Sequence, residues 1–191
     1  TLHLSSAASD VYKRQTLLRA IVDKSGLSLS DTAPFDTDHP GREIEGVTDS
    51  SPTLGEVLLN PTRIYVDPII DLIDSCRQGN GPCASEDIKA IAHITGGGLS
   101  NLLRLHDSLG WHISNPLPIP PEFNWMADTG PVENLEMHRV FNMGMGMCIA
   151  VSAGVAEKVE NWLTESLSGT RIVGVVTCLL YTSPSPRDGF T

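Results

Sequence analysis

The sequence predicts an α+β fold, a layered domain in which helices flank a mixed sheet. Two observations predict it. Stretches with apolar residues at helical spacing alternate with short branched or aromatic runs, which argues for layers over a bundle or a sandwich. The 191 residues, 40% hydrophobic and 19% charged, suit one globular domain, or two small ones, with a sizeable core.

Thr16 to Ser25 places Leu17, Leu18, Ile21 and Val22 on one face, with Gly26 as a stop, and reads as a helix. Leu27 to Thr53, rich in Asp, Ser, Thr, Pro and Gly, reads as a long surface loop. Thr53 to Leu59 fits a short helix ended by Pro61. Arg63 to Val66 is a strand candidate by its branched and aromatic content. Asp67 then caps a helix with Pro68 at its first position and Ile69, Ile70, Leu72 and Ile73 on its core face. Arg77 to Ser85 is a turn-rich loop, and Ile88 to Thr95 a buried strand.

Gly96-Gly97-Gly98 follows, then Leu99, Leu102 and Leu103 at helical spacing to about Leu105. Trp111 to Ile113 forms a short strand, and Pro116 to Pro121 a rigid extended connector. Glu122–Ala127 and Val132–Arg139 are short helices around Gly130-Pro131. Met145 to Val151 reads as a buried strand, Ala153 to Leu167 as an amphipathic helix, and Arg171 to Val176 as a last strand.

Strand, glycine turn and helix together aim backbone N–H groups at an anion. Gly96, Gly97 and Gly98 are therefore candidate phosphate binders, flanked by the hydroxyl of Thr95 and the imidazole of His93. The competing reading is a turn whose glycines serve packing, beside a structural histidine. Asn142, Gly144 and Gly146 mark a second candidate loop, where glycine and methionine also fit plain packing. Arg63 suits a phosphate fork and a surface ion pair equally.

A net charge of -10 disfavours a nucleic-acid backbone as partner. No apolar run approaches a membrane span. Cys76, Cys83, Cys148 and Cys178 form no C-x-x-C pair and no zinc spacing, which fits reduced thiols in the cytoplasm. His106, His112 and His138 lack mutual ligand spacing, so no metal site is expected, and nothing resembles a catalytic triad.

Both ends read as foreign. Asp10 to Gln15 can be encoded by one strand of the transposon end used in sequencing libraries. The opposite strand of that DNA encodes Cys-Leu-Leu-Tyr-Thr-Ser, which is Cys178 to Ser183. Residues 1–15 and 178–191 are accordingly expected to be adapter-derived tails that pack poorly, around a natural stretch 16–177.

Three blocks, Pro61-Thr62-Arg63-Ile64-Tyr65-Val66, Ala92 to Gly98 and Phe141 to Met147, resemble in order and spacing the phosphoribosylformylglycinamidine cyclo-ligase family. These are the aminoimidazole ribonucleotide synthetases of purine biosynthesis. Gly130-Pro131-Val132-Glu133 and Glu136-Met137 before Arg139 are similar to it too. Asn60, Asp67 and His138 depart from it, standing where Glu, Lys and Tyr are common. The resemblance covers the family's C-terminal domain and not its N-terminal one. It implies ATP-dependent closure of an imidazole on a small ribonucleotide, with ATP and Mg²⁺ held mostly by the N-terminal domain, and a homodimer for the whole enzyme. It makes His93 and Asn142 the expected catalytic residues, with Thr95, Gly96, Gly97, Gly98, Arg63 and Gly144 on substrate or phosphate. Rival readings are another enzyme of the superfamily, such as a selenophosphate synthetase, or a non-catalytic nucleotide-binding or scaffold domain.

Overall fold

A computed structural model describes residues 16–38, 44, 47, 51–106 and 108–178. Residues 16–25 are helical (α1), as their apolar spacing predicts. The loop that follows is pinned to the chain beyond it by a bridge between Thr32 and Thr53, flanked by hydrogen bonds from the Leu54 N–H to the Asp31 carbonyl and from the Gly55 N–H to the Leu29 carbonyl, each 2.8 Å. Helix α2, Leu54–Leu58, starts from a reciprocal cap. Thr53 Oγ1 accepts the Glu56 N–H, and the Glu56 carboxylate accepts the Thr53 N–H at 2.7 Å. Those hydrogen bonds favour the ionised carboxylate and hold Glu56 below its usual range. The cap therefore works above the ordinary carboxylate pKa and is lost as pH falls through the lowered value.

Helix α3, Val66–Gln78, corrects two expectations. Arg63 to Val66 is no strand: residues 61–65 are irregular and Val66 already lies in the helix. Branched residues favour β only when a neighbouring strand covers them. Here Ile64 and Val66 are 73% and 60% exposed. The cap is Tyr65, not Asp67, so Pro68 stands third in the helix, where an N–H would still be unpaired.

A 3₁₀ turn, Ser85–Asp87, leads into β1, Ile88–His93. The helix after the three glycines is 3₁₀ too, Gly98–Arg104, not α. Then come β2 (Leu109–Ile113), α4 (Pro121–Thr129), α5 (Asn134–Val140), β3 (Met147–Val151), α6 (Ala156–Ser166) and β4 (Gly174–Cys178).

The domain is α+β, but the expected mixed sheet is two antiparallel pairs, β1 with β3 and β2 with β4. Local composition carries strand existence, not pairing direction. Two of the expected strand boundaries shift inward. β1 ends at His93 rather than Thr95, and β3 begins at Met147 rather than Met145. β4 lies three residues later than Arg171 at its start and includes Cys178, which is exposed and paired with Leu109. The other residues assigned to the two tails lie outside the described residues.

Strand alternation sorts the core. Ile91 and Ile149, in register, face α3 and α6 and meet Leu72, Val159 and Leu163. Ala92 and Cys148, one residue on, face the 3₁₀ turn and Leu102, Trp111 and Ile113. A separate cluster joins α1, α4 and α5 through Ile21, Met126, Met137 and Met143. Leu72 is wholly buried at the centre of the first cluster. Leu72→Ala is expected to lower stability by roughly 2–5 kcal/mol, read from the urea unfolding midpoint.

Candidate functional site

Antiparallel pairing brings the end of β1 against the start of β3, with His93 opposite Met147. The Ile94 N–H extends the ladder by one bond to the Gly146 carbonyl at 2.8 Å. Two loops 40-odd residues apart in sequence, ~one strand spacing apart in space, thus leave the same end of one sheet. They are the loops that carry Thr95 to Gly98 and Asn142 to Gly146.

An open cleft of about 1890 Å³ runs past this end. Arg63, His93, Thr95, Asn142 and Gly144 all line it. Gly96, Gly97 and Gly98 are not in its lining. His93 and Thr95 are exposed, and the His93 ring nitrogens have no hydrogen-bond partner among the described residues.

The three glycines divide by role. Gly98 is buried, and its N–H donates to the Thr95 carbonyl at 3.0 Å. A Cβ there would collide with the carbonyl oxygens of His138 and Phe141, and φ is +53°. Gly98 therefore serves close packing and the left-handed turn, and its amide is withdrawn from the anion-binding set. The N–H groups of Gly96 and Gly97, partly exposed, have no partner among the described residues.

Asn101, absent from the expected site, holds this turn. It is 4% exposed, and its Nδ2 donates to the Gly98 carbonyl at 2.7 Å, with longer approaches to those of Gly96 and Thr95. Asn101→Ala would remove the buried side-chain donor to the Gly98 carbonyl and leave only the backbone bond of the 3₁₀ turn. A loss of about 0.5–1.5 kcal/mol in denaturant unfolding is expected, with faster amide exchange at residues 96–98.

The second loop is an Asx turn: Asn142 Oδ1 accepts the Gly144 N–H at 3.1 Å. Met143 adopts φ +49°, a costly value for its type, and its side chain is anchored among Met126 and Met137. Packing thus pins the turn and leaves the Asn142 amide nitrogen available at the cleft.

Arg63 stands at the rim, but its fork is engaged. Nη1 donates to the Ser168 carbonyl at 2.7 Å and Nη2 to the Ser168 hydroxyl at 3.2 Å. Tyr65, read from sequence as a strand residue, stacks edge-on against His93 with ring centroids 5.9 Å apart. Its hydroxyl occupies the place a Cβ on Gly146 would need, so that glycine admits the ring. Burial pushes the Tyr65 phenol above its ordinary pKa, while the Arg63 charge opposes the rise. Burial likewise pushes the Cys148 thiol up to about 11, so it stays neutral beneath the site.

Fold and cleft together define a class: an α+β domain presenting an imidazole, a hydroxyl, an amide and free backbone N–H groups at one sheet end. The chain belongs to the family described as AIR synthase related protein, C-terminal domain, which its residues 25–178 match. It is 36% identical over 161 residues to a phosphoribosylformylglycinamidine cyclo-ligase of Methanosarcina acetivorans, and 35% identical to that of Methanosarcina mazei. Each match covers 84% of this chain and 39% of the relative, so the chain spans well under half of either.

Proposed function

We propose that this chain is the C-terminal part of a phosphoribosylformylglycinamidine cyclo-ligase. The reaction converts formylglycinamidine ribonucleotide to aminoimidazole ribonucleotide. ATP phosphorylates the formyl oxygen, an amidine nitrogen attacks the same carbon, and phosphate leaves as the imidazole closes. Chemistry of this kind relies on positioning and on charge stabilisation.

The observation that supports the reading is the Ile94–Gly146 hydrogen bond, beside which His93, Thr95, Asn142 and Gly144 line one cleft. In this reading His93 takes the proton released as the nitrogen attacks. The Asn142 amide and the Thr95 hydroxyl, both in the cleft lining, orient phosphoryl oxygens. Gly144 keeps the Asn142 turn tight, and Arg63 closes the rim. No three His, Cys, Asp or Glu side chains gather into a metal site among the described residues. In this reading the ligands of Mg²⁺ belong mostly to the rest of the enzyme. The same holds for most ATP contacts and for a homodimer interface, in a cytoplasmic setting. No helix among the described residues is long and apolar enough to cross a membrane.

The test joins this chain to the portion of the Methanosarcina acetivorans relative that it does not span, and follows ADP release. Release that depends on formylglycinamidine ribonucleotide is expected, and His93→Gln should lower kcat by about 10²–10⁴. A folded, joined protein with no turnover would overturn the assignment.

A further inference from the structure

Away from the cleft, two thiols lie side by side. Cys76 is in the last turn of α3, 4% exposed, and Cys83 follows the loop Gly79-Asn80-Gly81-Pro82. Their sulfurs are 3.5 Å apart. The loop is folded to bring them together. Gly79 takes φ +76° after the helix, and the Asn80 and Gly81 N–H groups both donate to the Ser75 carbonyl at 2.9 Å. A Cβ on Gly81 would meet Cys76 N and Sγ at 2.6 and 2.7 Å, so only glycine lets the loop press this close. Beyond Cys83 the chain runs through the 3₁₀ turn into β1, whose far end bears His93.

We infer that Cys76 and Cys83 form a dithiol site that closes reversibly to a disulfide by exchange with small disulfides of the oxidised-glutathione type. Cys83, the less buried sulfur, reacts first. Its thiolate attacks one sulfur of the small disulfide, that S–S bond breaks, and one small thiol leaves after taking a proton. The Cys76 thiolate then attacks Cys83 Sγ, forms the protein disulfide and expels the second small thiol. Two protein thiols are oxidised, and one small disulfide is reduced to two thiols.

The surroundings set the speed. Burial, together with Cys76 of α3 and with Asp87 and Glu86 of the 3₁₀ turn, pushes Cys83 up to about 11. Little thiolate exists at neutral pH, so closure is slow there and quickens about tenfold per pH unit toward pH 9.

The test exposes the whole, natively folded chain to oxidised glutathione at pH 7, 8 and 9, then quenches with acid for intact-mass and peptide analysis. A mass lower by two hydrogens, a Cys76–Cys83 cross-linked peptide and reversal by dithiothreitol are expected. The thermal midpoint of the closed form should be at or above that of the reduced form. Cys83→Ser, at the partly exposed position, should keep the circular dichroism spectrum and lose the cross-link. The inference is overturned by a lasting glutathione adduct on Cys83, by modification of Cys178 without the cross-link even at pH 9, or by a closed form that melts below the reduced one.

Discussion

On its own, this chain is expected to release no ADP above background when given ATP and formylglycinamidine ribonucleotide, whereas the joined protein turns over. The cleft gives the physical reason. At about 1890 Å³ it is wider than the roughly 300–1,000 Å³ that encloses a small ligand. Its walls expose Ile64 at 73% and Val175 at 59%. The Trp111 indole N–H is buried there without a partner among the described residues. A trough of this kind cannot hold two phosphate-bearing molecules in line. Losing that alignment forfeits a positioning contribution of roughly 7–11 kcal/mol. The net charge of -10 adds repulsion of the ATP polyanion at low ionic strength. ADP release by the short chain that depends on the ribonucleotide would refute this account.

Gly98→Ala is expected to cost the fold heavily. The added Cβ meets backbone, the carbonyls of His138 and Phe141, which cannot swing aside as a side chain would. It also asks alanine to hold φ +53°, worth about 1–2 kcal/mol alone, and overpacking adds about 1–3 kcal/mol or more. Urea unfolding should show a loss of about 3 kcal/mol or greater. Gly97→Ala is the control: its added Cβ meets only the Ser100 hydroxyl, at 3.2 Å, and side-chain atoms of Asn101 beyond 3.5 Å, so the penalty there is largely that of φ +99°. Equal losses at the two positions would argue against the packing role of Gly98.

Much of this was legible in the sequence, and the gaps have physical causes. The strands around Ile91 and Ile149 show as short apolar runs because each is flanked by turn residues. Their pairing does not show, since the partner of His93 lies far along the chain and leaves no local pattern. The block around Tyr65 misled because branched and aromatic residues mark any partly covered surface, and here the cover comes from packing on His93 and Gly146 rather than from pairing with a neighbouring strand. The glycine turn could be read as a turn, but which glycine faces protein depends on where α5 ends. Asn101 gave no signal beyond its place three residues after Gly98, where a helix would turn it to solvent as readily as inward.

The interleaving of the two ladders sets a timetable for the chain's synthesis. β2 cannot pair until β4 exists, and Ile113 and Gly174 are roughly sixty residues apart, or ~3–12 s at ~5–20 residues per second. β1 waits nearly as long for β3, and the later part of its wait, from Ile113 to Met147, coincides with that of β2. While residues 113–147 are being added the nascent domain carries two bare strand edges at once, each able to hydrogen-bond to a neighbouring chain. Polysomes dense in this message are where its aggregation would begin, and slower elongation between residues 113 and 174 would lengthen the exposure rather than help folding.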